Sequence, residues 1–238
     1  MKFQIPILLS VFLLAGCFED NKYSESNMKL FAILYAFEPI KGHVKETHLV
    51  VKGDGGNNFQ DVLIKFDDKG CLANMEVAGK PVGMVSLKRE KDKIVGTENN
   101  EKVMFDINEH CLILNKKTEG SRNVVVFSYD ENGSIATIKD ERPGKDYHIS
   151  YNPDGTESII KVLMADKLAD ETKITFHDPI NKPLDYLAMS DGFLLGESQT
   201  NMSCKYENKN PVSCDLAYRF IKENSVFKFH ADINTVFY

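Results

Sequence analysis

Short stretches at residues 123–128, 147–151, 172–176 and 218–221 are rich in β-branched and aromatic residues, and several alternate apolar with polar positions. That is the period of a strand with one buried face. Between such stretches a turn pattern recurs. Phe127 to Ser134 and Ile149 to Thr156 align at a spacing of 22 residues, and Phe66-Asp67-Asp68-Lys69-Gly70 repeats the same aromatic, acid, Gly kernel. Asp130 or Asn152 at the first position, Pro153 at the second and Gly133 or Gly155 at the fourth fit a type I turn closed by a left-handed glycine. Asn210 takes the glycine place in a fourth copy beginning at Tyr206, and residues 105–109 form a looser fifth. The repeat predicts consecutive hairpins.

Other segments refine this picture. Residues 88–93 and 215–231 read as further hairpins, the latter turning at Glu223-Asn224-Ser225. Met28 to Phe37 is apolar enough for a buried strand or a short helix, and periodicity does not choose between them. Residues 160–170, with Val162, Leu163, Leu168 and several alanines and no glycine, admit a helix. The fold class expected is all-β or β-rich: an antiparallel sheet of repeated hairpins, curved or a half-barrel, with at most one or two short helices.

The N-terminus has a different pattern. Met1 and Lys2 supply positive charge, Ile5 to Leu14 is an apolar run broken by Pro6 and Ser10, and Ala15-Gly16 precedes Cys17. A membrane-spanning helix needs roughly 20 apolar residues, so this run reads as a signal peptide. Leu14-Ala15-Gly16-Cys17 resembles a bacterial lipobox. It implies cleavage between Gly16 and Cys17, with S-diacylglycerol and N-acyl groups on Cys17. At about 0.8 kcal/mol for each buried methylene, two or three acyl chains anchor a protein in effect permanently. Phe18, rather than aspartate, follows the cysteine and points to the outer membrane over the inner. The organisation expected is a signal peptide at 1–16, a lipidated flexible tether at 17–27 and a single β-rich domain at 28–238.

Removing residues 1–16 removes one lysine and no acid, leaving 28 basic and 35 acidic residues, a net charge of −7. That balance argues against a nucleic-acid partner, which needs clustered Lys and Arg. Four further cysteines, Cys71, Cys111, Cys204 and Cys214, would sit where disulfides persist, with three pairings open to them. Cys204 and Cys214 flank a strand, turn and strand centred on Lys209, which pairs them; Cys71 with Cys111 follows by elimination. A four-thiolate metal site is disfavoured by the lack of Cys-x-x-Cys spacing.

Candidate chemistry is sparse. There is no Gly-x-Ser-x-Gly and no free cysteine beside a histidine, so no catalytic residue is assigned. His43 and His48 lie five apart on an expected strand and so on opposite faces. No metal and no cofactor is expected. The glycine-rich run at 52–58 lacks the Gly-Lys-Ser/Thr ending of a phosphate loop. Acid-rich turns at Asp67, Asp68, Asp130, Glu131 and Asp154 lack the ligand spacing of an EF-hand.

The lipobox, Glu38-Pro39-Ile40-Lys41-Gly42-His43-Val44-Lys45, Gly70-Cys71-Leu72, Asp178 to Tyr186, and Ser203 to Tyr206 with Asn210 to Cys214 together resemble the YnfC family of small enterobacterial lipoproteins. The turn kernel is also similar to the tyrosine-aspartate hairpin repeats of Rhs proteins. The first resemblance implies an anchor, structural cysteines, an envelope location and no assigned activity. Two functions are compatible with this reading. One is a tethered, non-enzymatic module that meets another envelope protein through hairpin tips or a sheet edge. The other is a carrier holding a lipid or other apolar ligand. The pattern itself reserves no cavity and so favours the module; a contiguous apolar concavity would favour the carrier.

Overall fold

A computed structural model describes residues 24–140, 144–193 and 196–238. The signal peptide and the Cys17 lipidation site lie outside the described residues. Among the described residues one helix, α1 (Ser26–Tyr35), precedes sixteen strands: β1 (Val44–Gly53), β2 (Asn58–Phe66), β3 (Leu72–Gly79), β4 (Gly83–Glu90), β5 (Lys93–Glu98), β6 (Glu101–Ile107), β7 (Ile113–Thr118) and β8 (Val124–Tyr129). There follow β9 (Ile135–Asp140), β10 (Lys145–Tyr151), β11 (Glu157–Met164), β12 (Lys167–Asp178), β13 (Lys182–Gly192), β14 (Ser198–Glu207), β15 (Asn210–Phe220) and β16 (Ser225–Phe237). Each strand pairs antiparallel with the next, and β1 closes on β16 from Val44↔Phe237 to Gly53↔Phe229. The antiparallel, curved sheet of hairpins expected from the sequence is borne out, and its curvature closes it into a complete barrel. Closure leaves no strand edge to aggregate or to recruit a partner.

Residues 160–170, whose composition admits a helix, are strand and turn instead. Ala165 and Asp166, both at positive φ, form the tight turn of the β11–β12 hairpin, and Leu163 pairs with Leu168 across it. In the hairpin that carries Cys204 and Cys214, Asn208 and Lys209 take the left-handed conformation rather than Asn210. That two-residue turn suits the strand twist.

Closure also explains the apolar segment at 28–37. A barrel of sixteen strands is wider than its inward side chains can fill, and a closed sheet offers no edge with which an enclosed strand could pair. The segment satisfies its own backbone as α1, whose consecutive residues Ser26 to Ala32 are all buried. Ala36 ends it in the left-handed conformation, its N–H bonded to the Ala32 carbonyl. Phe31 packs edge-on against Phe105 of β6, Tyr35 donates to Glu98 of β5, and Gln60 of β2 donates to the Tyr35 carbonyl at 2.7 Å. Residues 36–43 then return to the end where the helix began, where the His43 ring meets Tyr238. Helix and return segment plug the barrel.

The turns after β2, β4, β6, β8, β10, β12 and β14 share that end, called here the near end. Three repeated kernels seat the helix there. Asn27 Nδ2 donates to the Gly70 carbonyl at 3.0 Å, Ser26 Oγ to that of Gly133, and Lys29 Nζ to that of Gly155 at 2.9 Å. Asp67 and Asp130 cap their turns by accepting two backbone N–H groups each. Asn108 does the same in the turn where Cys111 occupies the glycine place at φ 60°. Tyr129 and Tyr151 each donate to a carbonyl sixteen residues earlier, Ile113 and Ile135, which ties hairpin to hairpin. Ser24 to Asn27, assigned to the tether by sequence, thus belong to the folded part.

Disulfides join Cys71 to Cys111 and Cys204 to Cys214. The second links directly opposed residues of β14 and β15. The first joins the turn after β2 to the turn after β6, crossing the near end past the β4–β5 hairpin, whose Arg89 pairs with Asp67 at 2.7 Å. The outer wall carries cross-strand ion pairs such as Glu46–Lys65 and Lys52–Asp232, both 2.7 Å, and Asp106–Lys117 at 2.8 Å. A charge on a lipid-facing barrel wall costs up to about 2–4 kcal/mol, so this wall is built to face water.

Candidate functional site

The plug does not fill the barrel evenly. Between it and the wall formed by β11 to β14 lies a cavity of about 270 Å³. Met28, Ala32, Ile33 and Phe37 line the plug side; Ile160, Ile174, Phe176, Leu184 and Ala188 line the wall. These wall positions face inward because alternate residues of each strand do. Beside this cavity, towards the opposite end, Tyr218, Phe220 and Phe227 make edge-on contacts at 4.8 and 6.0 Å on β15 and β16, on the face shared with Cys214.

Four polar side chains distinguish the cavity from a packing defect. Glu38, on the returning segment, accepts a hydrogen bond from the Tyr186 hydroxyl at 2.8 Å. Burial pushes its carboxyl up to about 7, against the lowering effect of that bond, and the nearby Glu157 carboxylate adds to the rise. Burial likewise raises the Tyr186 phenol well above its ordinary value, with the Glu38 charge acting in the same direction. Lys41 is shifted down, chiefly by desolvation, with partial compensation from Glu157 and Glu25. Its ammonium lies 5.9 Å from the centroid of the Phe176 ring. Glu157, at the start of β11, also lines the cavity. Glu25, Lys41 and Glu157 place the polar rim at the near end.

The acidic group Glu38 has a phenol as partner and no nucleophile within its hydrogen-bonding set. Among the described residues no three His, Cys, Asp or Glu side chains converge in a way that would hold a metal ion. His43 contacts the Asp68 carbonyl and His48 pairs with Asp61 on the outer wall. Asp154 is held by Thr156, and the acid-rich turns cap their own backbones. Sequence reasoning passed over Glu38, Lys41, Glu157 and Tyr186 as chemistry. A pointer was nonetheless present: Glu38 with Lys41, and Tyr186, belong to two of the segments that carried the family resemblance, and the fold brings them together across 148 residues.

Comparison with known proteins sets these observations in context. The chain is 25% identical over 224 residues, 91% of its length and 90% of theirs, to the proteins named UPF0257 lipoprotein YnfC of Escherichia coli O127:H6 and of Escherichia coli K12 strain DH10B. Among solved structures, a porin-like protein from Bacteroides uniformis superposes with a TM-score of 0.60 at 11% identity, over 83% of this chain and 99% of that one. That likeness concerns the barrel alone. The model of the uncharacterised protein family UPF0257 matches residues 1–233, and the chain belongs to that family.

Proposed function

We propose that this protein is a lipid-anchored envelope protein, non-enzymatic, whose barrel holds a small apolar ligand between plug and wall. The observation that carries the reading is the apolar cavity between plug and wall, with its Glu38–Tyr186 pair. It reverses the preference for a filled module that the hydrophobic pattern supported. Anchoring at Cys17, after cleavage behind Gly16, is supported by the lipobox and by relatives named lipoproteins. Phe18 favours the outer membrane. Ser24, the first described residue, lies at the near end, bonded to the Lys69 carbonyl, and seven residues, the number from Cys17 to Tyr23, reach at most about 25 Å. The polar rim of the cavity therefore faces the membrane that holds the anchor, and the apolar walls lie behind it.

The test is native mass spectrometry of the chain from residue 17 carrying Cys17→Ala, purified without detergent. The barrel and plug are complete within residues 24–238, so this chain contains the whole fold. A bound mass in the lipid range, lost on organic extraction, supports the carrier. A bare chain mass that no added alkyl compound shifts would sink it.

One further observation supports an envelope protein partner. Leu168, Met189 and Ile221 are exposed together in one recess at the end away from the anchor, with Phe193 also exposed nearby in sequence to β13. Crosslinking in cells from a photoreactive residue at Leu168 tests it; an adduct matching a single envelope protein supports the partner, and no adduct removes it.

A further inference from the structure

Charged groups of opposite sign, Lys41 on one side and Glu38 and Glu157 on the other, line the cavity without forming an ion pair with one another. Lys41 forms no ion pair among the described residues and rests over the Phe176 ring. Glu38 has the neutral Tyr186 hydroxyl as its partner, and Glu157 makes no hydrogen bond or ion pair among the described residues. The other charged groups at the rim are already engaged. Glu25 accepts the Gly42 N–H at 2.7 Å, Lys29 is held by the Gly155 carbonyl and by the Tyr151 ring at 5.0 Å, and Asp154 is held by Thr156.

A buried charge is tolerated when a partner compensates for its lost hydration. Desolvation is the largest influence on both Glu38 and Lys41, raising one and lowering the other. Desolvation thus holds each group away from its charged form, outweighing the Tyr186 hydrogen bond at Glu38 and the Glu157 and Glu25 charges at Lys41. A fatty acid would answer Lys41 and leave Glu38 and Glu157 as they are; an alkylamine would do the reverse.

We propose that the cavity recognises a zwitterionic amphiphile: one alkyl chain against the Ile174, Phe176 and Leu184 wall, an anionic head group at Lys41, and an ammonium at Glu38 and Glu157. The volume, below the roughly 300–1,000 Å³ of drug-sized sites, suits one chain and not two. This inference rests on the reading of the cavity as a ligand site.

The experiment measures binding of four chain-matched probes, dodecyl phosphoethanolamine, laurate, dodecylamine and dodecanol, below their micelle concentrations, to the Cys17→Ala chain. The zwitterion is expected to bind about tenfold or more tightly than each of the others, a difference of about 1.4 kcal/mol. Glu38→Gln should weaken the zwitterion and the amine but not laurate; Lys41→Met should weaken the zwitterion and laurate but not the amine. Equal binding of all four probes, or preference for laurate or for the amine, overturns the head-group inference while leaving the cavity as a ligand site. Failure of every probe to bind overturns the cavity reading itself. The ranking on the parent chain decides the matter even where a variant does not fold.

Discussion

The two halves of the barrel use the same alternation to different ends. From β1 to β9 the inward positions are sealed: Val62 and Ile64 of β2, Leu87 of β4, Ile94 of β5, Phe105 of β6 and Ile113 of β7 are almost wholly buried. On β11 no residue from Glu157 to Met164 is buried, and on β12 the inward Thr172, Ile174 and Phe176 remain partly accessible. The plug makes this difference. One helix and one returning segment are narrower than a sixteen-stranded lumen, and the helix lies against β2, β5, β6 and β9. What it leaves on the other side is the cavity. A strand pattern records which face turns inward, not whether anything waits there.

The largest test of that contrast is a matched truncation. Phe105→Ala should cost about 3–5 kcal/mol, because its surroundings are packed on every side and a cavity would remain. Phe176→Ala should cost about 1–2 kcal/mol, since one face of that ring already borders empty space and part of the transfer and cavity cost is absent. Urea midpoints of the two variants decide it; equal losses would mean that the two halves are packed alike.

Next in size is the buried acid of the open half. The Glu38 carboxyl is raised from 4.5 to about 7. Below pH 4.5 it is protonated both folded and unfolded, and no penalty exists. Between 4.5 and 7 the unfolded chain ionises first, so stability falls; above 7 the full penalty, on the order of 3 kcal/mol, is present. Glu38→Gln should remove this fall and be more stable than the parent at pH 8. A parent whose stability gains nothing from Glu38→Gln across pH 5 to 8 would show that the carboxyl is solvated after all.

Overpacking should follow the same division with smaller numbers. Ala188→Leu projects into the cavity and should change stability by less than about 1 kcal/mol, whereas Val85→Phe in the sealed half should cost about 1–3 kcal/mol. Thermal unfolding of both variants checks the pair. Ala188→Leu should also reduce the binding of any alkyl probe, because it occupies the same volume.

Legibility in the sequence followed the range of the physics. The turn kernel could be read because its forces are local: Asp130 Oδ1 accepts the Asn132 and Ser134 N–H groups within one turn, at 2.9 and 2.8 Å. Cys204 facing Cys214 could be read for the same reason, across one hairpin. Residues 28–37 could not be assigned, because helix and strand bury the same side chains and only closure of the barrel removes the strand option. That closure pairs β1 with β16, nearly the whole chain apart, and no local pattern carries it. At 160–170 the alanines misled: Ala165 with Asp166 makes a turn, and the β11–β12 ladder overrides helix propensity. The candidate site was least legible of all, since Glu38 and Tyr186 become a pair in three dimensions alone.

The smallest expected effect sits at the junction of the two halves, where the repeat seats the helix. Asn27 is buried, with Nδ2 bonded to the Gly70 carbonyl while Oδ1 has no partner among the described residues. Asn27→Ala removes one neutral hydrogen bond, worth about 0.5–1.5 kcal/mol, and leaves the Gly70 carbonyl unpaired. It also removes an unpaired buried oxygen and introduces a better helix former, so the net loss should be about 1 kcal/mol or less. Hydrogen exchange should register more than global stability does: the first turn of α1 should exchange faster while the β2 to β7 amides keep their protection. If those strand amides lost protection as well, the plug and the sealed wall would open as one unit, and the division between a rigid half and an open half would have to be redrawn around the helix.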